Sequence, residues 1–208
     1  SWKNNYSTEC MEIVLFDEIT KEKHIADVRT VDGLVLEFQH SSINSTERIA
    51  REKFYNSMLW IVDGTRLKRD YSRFLKGRTD LEKTNNPAIF HVHFPDECFP
   101  SSWIASAVPV IFDFKGNETI RDPNDLRNHL HCLLPKTEWR PAMLITLSRE
   151  KFIESTINGK WLSNFVIRFD KLNQGQQLLQ GQFIQNSVIR RSPQYYLHKG
   201  RWVRRRRF

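Results

Sequence analysis

The order of apolar runs in this chain predicts an α/β fold. Three observations carry that expectation: three runs with strand character between residues 10 and 39, a helix-patterned segment with its own cap from Asn44, and a short apolar run, MLWIVDG, directly after it. Strand, strand, strand, helix, strand builds a mixed sheet with flanking helices. At 208 residues the chain can fill one full core, or one domain plus an appendage, and is tight for two.

CMEIVLFD (10 to 17) is rich in apolar and branched residues and is expected as the first strand, followed by a polar turn, EITKEK. HIADVRT and LVLEFQ supply the next two strands, joined by VDG. A two-residue Asp-Gly turn would pair Val31 with Leu34 and set Asp27 opposite Phe38. A three-residue loop with Gly33 in the left-handed position pairs Thr30 with Leu34 and Asp27 with Glu37. Side-chain alternation decides for the second. It puts Ala26 and Val28 on a face with Leu34, Leu36 and Phe38, and Asp27, Arg29, Glu37 and Gln39 on the other, whereas the shorter turn mixes the two sets.

Asn44 reads as a helix cap with Glu47 as the third residue, and the helix runs through STERIAREKFYNS. MLWIVDG (58 to 64) is expected as a buried strand, and LKRDYSRFLKGR as a basic helix or loop. Residues 80 to 102 are broken by Pro and Asn around a short strand at IFHVHF. AVPVIFDF (107 to 114) predicts a strand, DPNDLRNHLHCLL a capped helix, AMLITL a strand, and SREKFIESTING a helix ended by Gly159. The Gln- and Gly-biased NQGQQLLQGQFIQN reads as a linker, which divides the chain into a domain over 1–170 and a linker with a basic aromatic tail over 171–208.

The formal charge of +8 sits in that tail: from Lys171 onward there are nine Lys and Arg and no Asp or Glu, leaving 23 basic against 24 acidic residues before it. No apolar run is long enough to cross a bilayer and nothing at the start resembles a signal peptide, so the expected partner is not a membrane and the expected location is cytoplasmic. Three cysteines at wide spacing, Cys10, Cys98 and Cys132, argue against a disulfide framework. The first residue is Ser, and the expectation is that upstream elements precede SWKNNY in the full protein.

In the chosen register, Asp27 and Glu37 stand across from each other with Cβ atoms roughly 4.5 to 5.5 Å apart. Two ionised carboxylates that close need a shared proton or a cation. Mg²⁺ or Mn²⁺ resolves the conflict, taking one or two carboxylates together with substrate phosphate oxygens, and polarises a phosphodiester for attack by water. Glu12 shares parity with Val14 and Phe16 and can project toward the same ion; Gln39 points the same way and can orient a water. The competing reading is an ordinary solvated strand face on which Arg29 neutralises its neighbours.

HIADV, then EFQHSSI, then Arg51 with Tyr55 in AREKFY, then LWIVDG, resembles the competence protein CoiA-like nuclease family, a branch of the PD-(D/E)XK superfamily, over about residues 9 to 64. The resemblance implies a restriction-endonuclease-like core in which Asp27 and Glu37 bind metal, Gln39 stands where most of the superfamily has lysine, and Glu12 is the acid ahead of the motif. Arg51 and Tyr55 match the helix that follows, and their i, i+4 spacing puts them on one face with Glu47, for contact with DNA phosphate or, in the competing reading, as an ordinary salt-bridged helix surface. The implied activity is metal-dependent hydrolysis of DNA phosphodiester bonds.

Two further constellations carry alternatives. His91, His93 and Cys98, with His129, His131 and Cys132, allow a mixed zinc site to be imagined, though without regular ligand spacing. The tail RRSPQYYLHKGRWVRRRRF interleaves Tyr195, Tyr196 and Trp202 with Arg204, Arg205, Arg206 and Arg207, a mixture that suits phosphates and unpaired bases. The competing functions are a nucleic-acid-binding module of the same fold without chemistry, and an adaptor that uses its tail on another protein.

Overall fold

A computed structural model describes residues 2–55, 57–136 and 141–161, and the backbone of residues 195–198 and 201–204. Ser1–Leu162 form one compact unit and Ser163–Phe208 another. In the first unit the strands are β1 (Met11–Phe16), β2 (Lys23–Arg29), β3 (Val35–Gln39), β4 (Met58–Asp63), β5 (Glu82–Lys83), β6 (Ile89–Val92), β7 (Val110–Asp113), β8 (His129–Leu133) and β9 (Ala142–Ser148). The helices are α1 (Ser45–Tyr55), α2 (Lys68–Arg78), α3 (Pro95–Cys98), α4 (Ser101–Ile104) and α5 (Arg149–Ile157).

All nine strands join one mixed sheet in the order β1-β2-β3-β4-β7-β8-β9-β6-β5. The parallel members are β3, β4 and β7 at its centre. They need crossovers, which α1 provides between β3 and β4. The α/β expectation holds at this level.

Helices and an N-terminal segment cover the two faces. Val35, Trp60, Val62 and Phe112 pack with Tyr55 of α1, Phe74 of α2, Cys98 of α3 and Trp103 of α4. On the other face Phe38 meets Trp2, their rings stacked at 6.0 Å, and Trp2 meets Phe152 of α5 edge-on at 6.1 Å. The central strands therefore bury both faces, which is why β4 reads as a continuous apolar run rather than an alternating one.

The β2–β3 hairpin has the three-residue loop. Gly33 sits at φ 84°, where glycine carries no Cβ penalty, and Thr30 N–H donates to Leu34 O at 2.9 Å. Asn44 caps α1 as expected, its Oδ1 accepting from Glu47 N–H at 2.7 Å. Glu47 does not reach back to complete a capping box; it pairs with Arg51 at 3.0 Å.

One expected element is wrong. DPNDLRNHLHCLL does not form a helix: Asp125 caps only a 3₁₀ turn over Leu126–Asn128, and the chain continues as β8. The alternation HLHCL is buried between β7 and β9, and ladders to both neighbours satisfy a backbone that a helix here would have withdrawn from the sheet. In the second unit, β10 (Tyr195–His198) and β11 (Arg201–Arg204) form an antiparallel hairpin. The linker expected in the Gln-biased stretch, and Arg205, Arg206 and Arg207, lie outside the described residues, as does the side chain of Arg204. Among the described residues no helix is long and apolar enough to cross a membrane.

Candidate active site

Asp27 and Glu37 come together where the β2–β3 ladder stops. The pairing joins Arg29 to Val35 and Val28 to Leu36, and one further step along that register sets Asp27 opposite Glu37. There the backbone bond is replaced by a side chain: Phe38 N–H donates to Asp27 Oδ2 at 2.9 Å. A carboxylate that takes over a ladder bond parts the strands locally and is itself held in one orientation.

Glu37 is buried, its side chain 3% exposed. Burial raises its pKa, the Asp27 charge raises it further, and the Arg51 guanidinium opposes both. The two carboxylates are thus within electrostatic reach of each other. Glu37 Oε2 accepts from Arg51 Nη1 at 2.7 Å, and the carboxylate also meets the buried Tyr55 hydroxyl. Tyr55, one turn beyond Arg51 on α1, lies beside Glu37; burial and then the Glu37 charge push its phenol pKa well above the ordinary value.

Each carboxylate also has its own basic side chain. Lys3 Nζ lies 2.8 Å from Asp27 Oδ1 and 3.2 Å from Glu12 Oε1, and these bonds raise the lysine pKa, that to Asp27 most of all. Lys3 is held there by its neighbour. Trp2 stacks on Phe38, donates Nε1–H to Asp113 Oδ2 at 2.9 Å, and lies under the Arg149 guanidinium at 4.2 Å from its ring. Asp113 is buried at the end of β7 and also takes Arg149 Nη2 at 2.8 Å. No local sequence signal marks Lys3 as part of this constellation.

The remaining candidates are placed less closely. Glu12 lies on β1 at φ 52°, with its side chain 72% exposed, and it meets Asp27 through Lys3 rather than directly. Gln39 Nε2 donates to Ser41 O at 2.8 Å and to Ser41 Oγ at 3.2 Å, so its amide is turned into its own loop. Arg51 is shared between Glu37 and Glu47. His40 Nδ1 lies 3.4 Å from Asp63 Oδ2 at the end of β4, away from the pair.

Among the described residues, no three of His, Cys, Asp and Glu gather closely enough to enclose a metal ion. The zinc constellation is dispersed: His91 and His93 both face Glu82, at 3.5 and 2.8 Å, while His131 lies against Phe74 and Phe114. Cys98 and Cys132 are buried, and burial pushes both thiols up to about 12.

The Asp27–Glu37 pair by itself does fit a hard dication. Mg²⁺ is held by one or two carboxylates with water and phosphate oxygens completing its shell, and Asp27 and Glu37 supply two carboxylates within electrostatic reach of each other. Asp27 Oδ1 becomes available wherever Lys3 withdraws. No family model matches this chain, and no curated protein or solved structure matches it either.

Proposed function

We propose that this chain is a metal-dependent nuclease that hydrolyses DNA phosphodiester bonds, with a restriction-endonuclease-like core similar to that of the CoiA-like family, acting in the cytoplasm in DNA processing, uptake or defence. The observation that carries the reading is the pair itself: two acidic side chains on adjacent strands, meeting where Asp27 breaks the ladder, with Glu37 buried between Arg51 and Tyr55. Asp27 and Glu37 would hold Mg²⁺ or Mn²⁺, with Glu12 at the rim. When bound, such an ion screens phosphate charge and makes a coordinated water more acidic.

The chain's own residues supply the rest. The Phe38 N–H keeps Asp27 oriented. Lys3 leaves Asp27 for the incoming phosphate, carrying its charge with it. Arg51, anchored through Nη2 on Glu47, holds the phosphate with the edge now spent on Glu37, and Tyr55 donates to a phosphate oxygen because its phenol stays protonated. Gln39 orients water with its amide oxygen. Arg204, Arg205, Arg206 and Arg207 would neutralise nucleic-acid phosphates.

A second reading, a DNA-binding module of the same fold without chemistry, draws on a specific observation: Lys3 and Arg51 already neutralise the carboxylates. Incubation of labelled single- and double-stranded DNA with Mg²⁺, Mn²⁺ or EDTA, beside Asp27→Asn and Glu37→Gln, separates the two. Cleavage that needs both the ion and each carboxylate supports the nuclease. Retardation without cleavage supports the module, and neither result at low salt removes both.

A further inference from the structure

We infer that α2 and the turn before it form a rigid cationic track that binds the phosphate backbone of nucleic acid. Between residues 66 and 78 the chain carries Arg66, Lys68, Arg69, Arg73, Lys76 and Arg78 against a single acid, Asp70. None of these six makes an ion pair with a described residue. Four other arginines of the same unit do find carboxylates, Arg48 on Glu52, Arg51 on Glu37, Arg127 on Asp125 and Arg149 on Asp113, while Arg29 and Arg121 stand singly elsewhere in the sequence. The contrast matters because the chain up to residue 170 is close to neutral, so α2 is a local concentration of charge rather than a share of a general excess.

The track is arranged along one stripe. Arg69, Arg73 and Lys76 follow at spacings of four and three, which align them on one side of a helix. Arg66 joins them at the start, since Arg73, Arg69 and Arg66 all act on the Asp70 carboxyl. Like charges at those spacings cost an isolated helix about 0.2 to 0.5 kcal/mol per pair. The helix tolerates this because its other side is anchored: Phe74 stacks on Phe114 at 5.0 Å and meets the tilted His131 ring at 4.4 Å, and Gly77 packs so closely that an added Cβ would lie 2.5 Å from Cys98 Sγ. From Arg69 to Lys76 the rise is about 10 Å, enough to follow about three phosphates of one strand.

Burial of the apolar side decides between two polyanions. A helix that lies on a lipid surface inserts that side among the acyl chains. Here Phe74 is 1% exposed, covered by the sheet and α3, and the apolar side chains left outside are two isolated leucines, Leu67 at 39% and Leu75 at 41% exposed, rather than a continuous apolar stripe. What α2 offers a partner is charge at fixed spacing, which is what a phosphate backbone uses. The track shares its ligand class with the function proposed above and none of its chemistry.

The test is binding of a fluorescent 20-base-pair duplex by the full chain in EDTA, between 50 and 200 mM KCl, so that cleavage plays no part. Replacing Arg69, Arg73 and Lys76 together by Gln is expected to lower the slope of log affinity against log salt by about 2.7, or 0.9 for each phosphate no longer neutralised. Across that fourfold salt range the unmodified chain would then lose about 40-fold more affinity than the variant. Lys76→Gln alone should lower the slope by about 0.9, and the three-lysine version of the stripe should keep it. The inference is overturned if the triple variant, shown folded by its thermal transition, keeps the original slope while Arg204→Gln, Arg205→Gln, Arg206→Gln and Arg207→Gln together abolish it. It is equally overturned if the chain binds phosphatidylserine vesicles through α2 and leaves DNA unbound, or binds neither. Cleavage absent in Mg²⁺ with the slope change present would remove the nuclease and leave the track standing.

Discussion

His131 should make this fold acid-labile over a defined interval. The ring is buried against Phe74 at 4.4 Å and Phe114 at 5.8 Å; Nε2–H donates to Leu126 O at 3.1 Å, and Nδ1 has no partner. Burial lowers its pKa from 6.5 to about 4 because no carboxylate compensates a charge there. A histidine with a depressed pKa stabilises the fold in full above its unfolded value of about 6.5, and that contribution disappears as pH falls toward 4. The gap amounts to about 3 kcal/mol in full, of which about 2 kcal/mol is lost between pH 7 and pH 5. Urea unfolding at half-unit steps from pH 7 to pH 5 should show unfolding accompanied by uptake of about 0.9 proton near pH 5.2 beyond that of His131→Gln. Identical pH slopes for the two proteins would refute the argument that this ring is held neutral.

Lys3→Met removes two partly exposed ion pairs that compete for the Asp27 and Glu12 oxygens, each worth about 0.5 to 1 kcal/mol. Mn²⁺ affinity, read from the free-ion paramagnetic resonance signal, should rise about 5- to 30-fold; an unchanged affinity means that the ammonium and the metal do not share a site. Glu52→Leu should cost about 3 to 5 kcal/mol in urea unfolding, because Arg48 would remain charged and buried. The same change strips a partner from Trp60 Nε1, Ser106 Oγ and the Ala107 N–H. Arg48→Leu added to it should recover part of that loss, and a single-variant cost below about 1 kcal/mol would contradict the pairing.

The candidate site divides along the same line as the fold. Asp27 and Glu37 were legible because their relation depends on a loop of three residues and on alternation, both read within a window of about 15 residues. The Arg51–Tyr55 face followed from helix spacing alone. Lys3 was not legible, since its place depends on Trp2 reaching Asp113, a partner 111 residues away. Nor did any pattern foretell that Asp27 would spend one oxygen on Phe38 N–H, or that Gln39 would turn into Ser41.

By itself the sequence determined the strand runs, the hairpin register at Gly33, the Asn44 cap and the concentration of charge in α2 and the tail, because these arise from periodicity, backbone sterics and composition acting over a few residues. Tertiary structure alone decided that HLHCL is a strand, since a slot with two open ladders between β7 and β9 outweighs a local cap. It also decided which cation meets which carboxylate. Ion pairing in a folded chain depends on distance in space, and the strands and helices that set those distances are brought together by burial rather than by sequence neighbourhood.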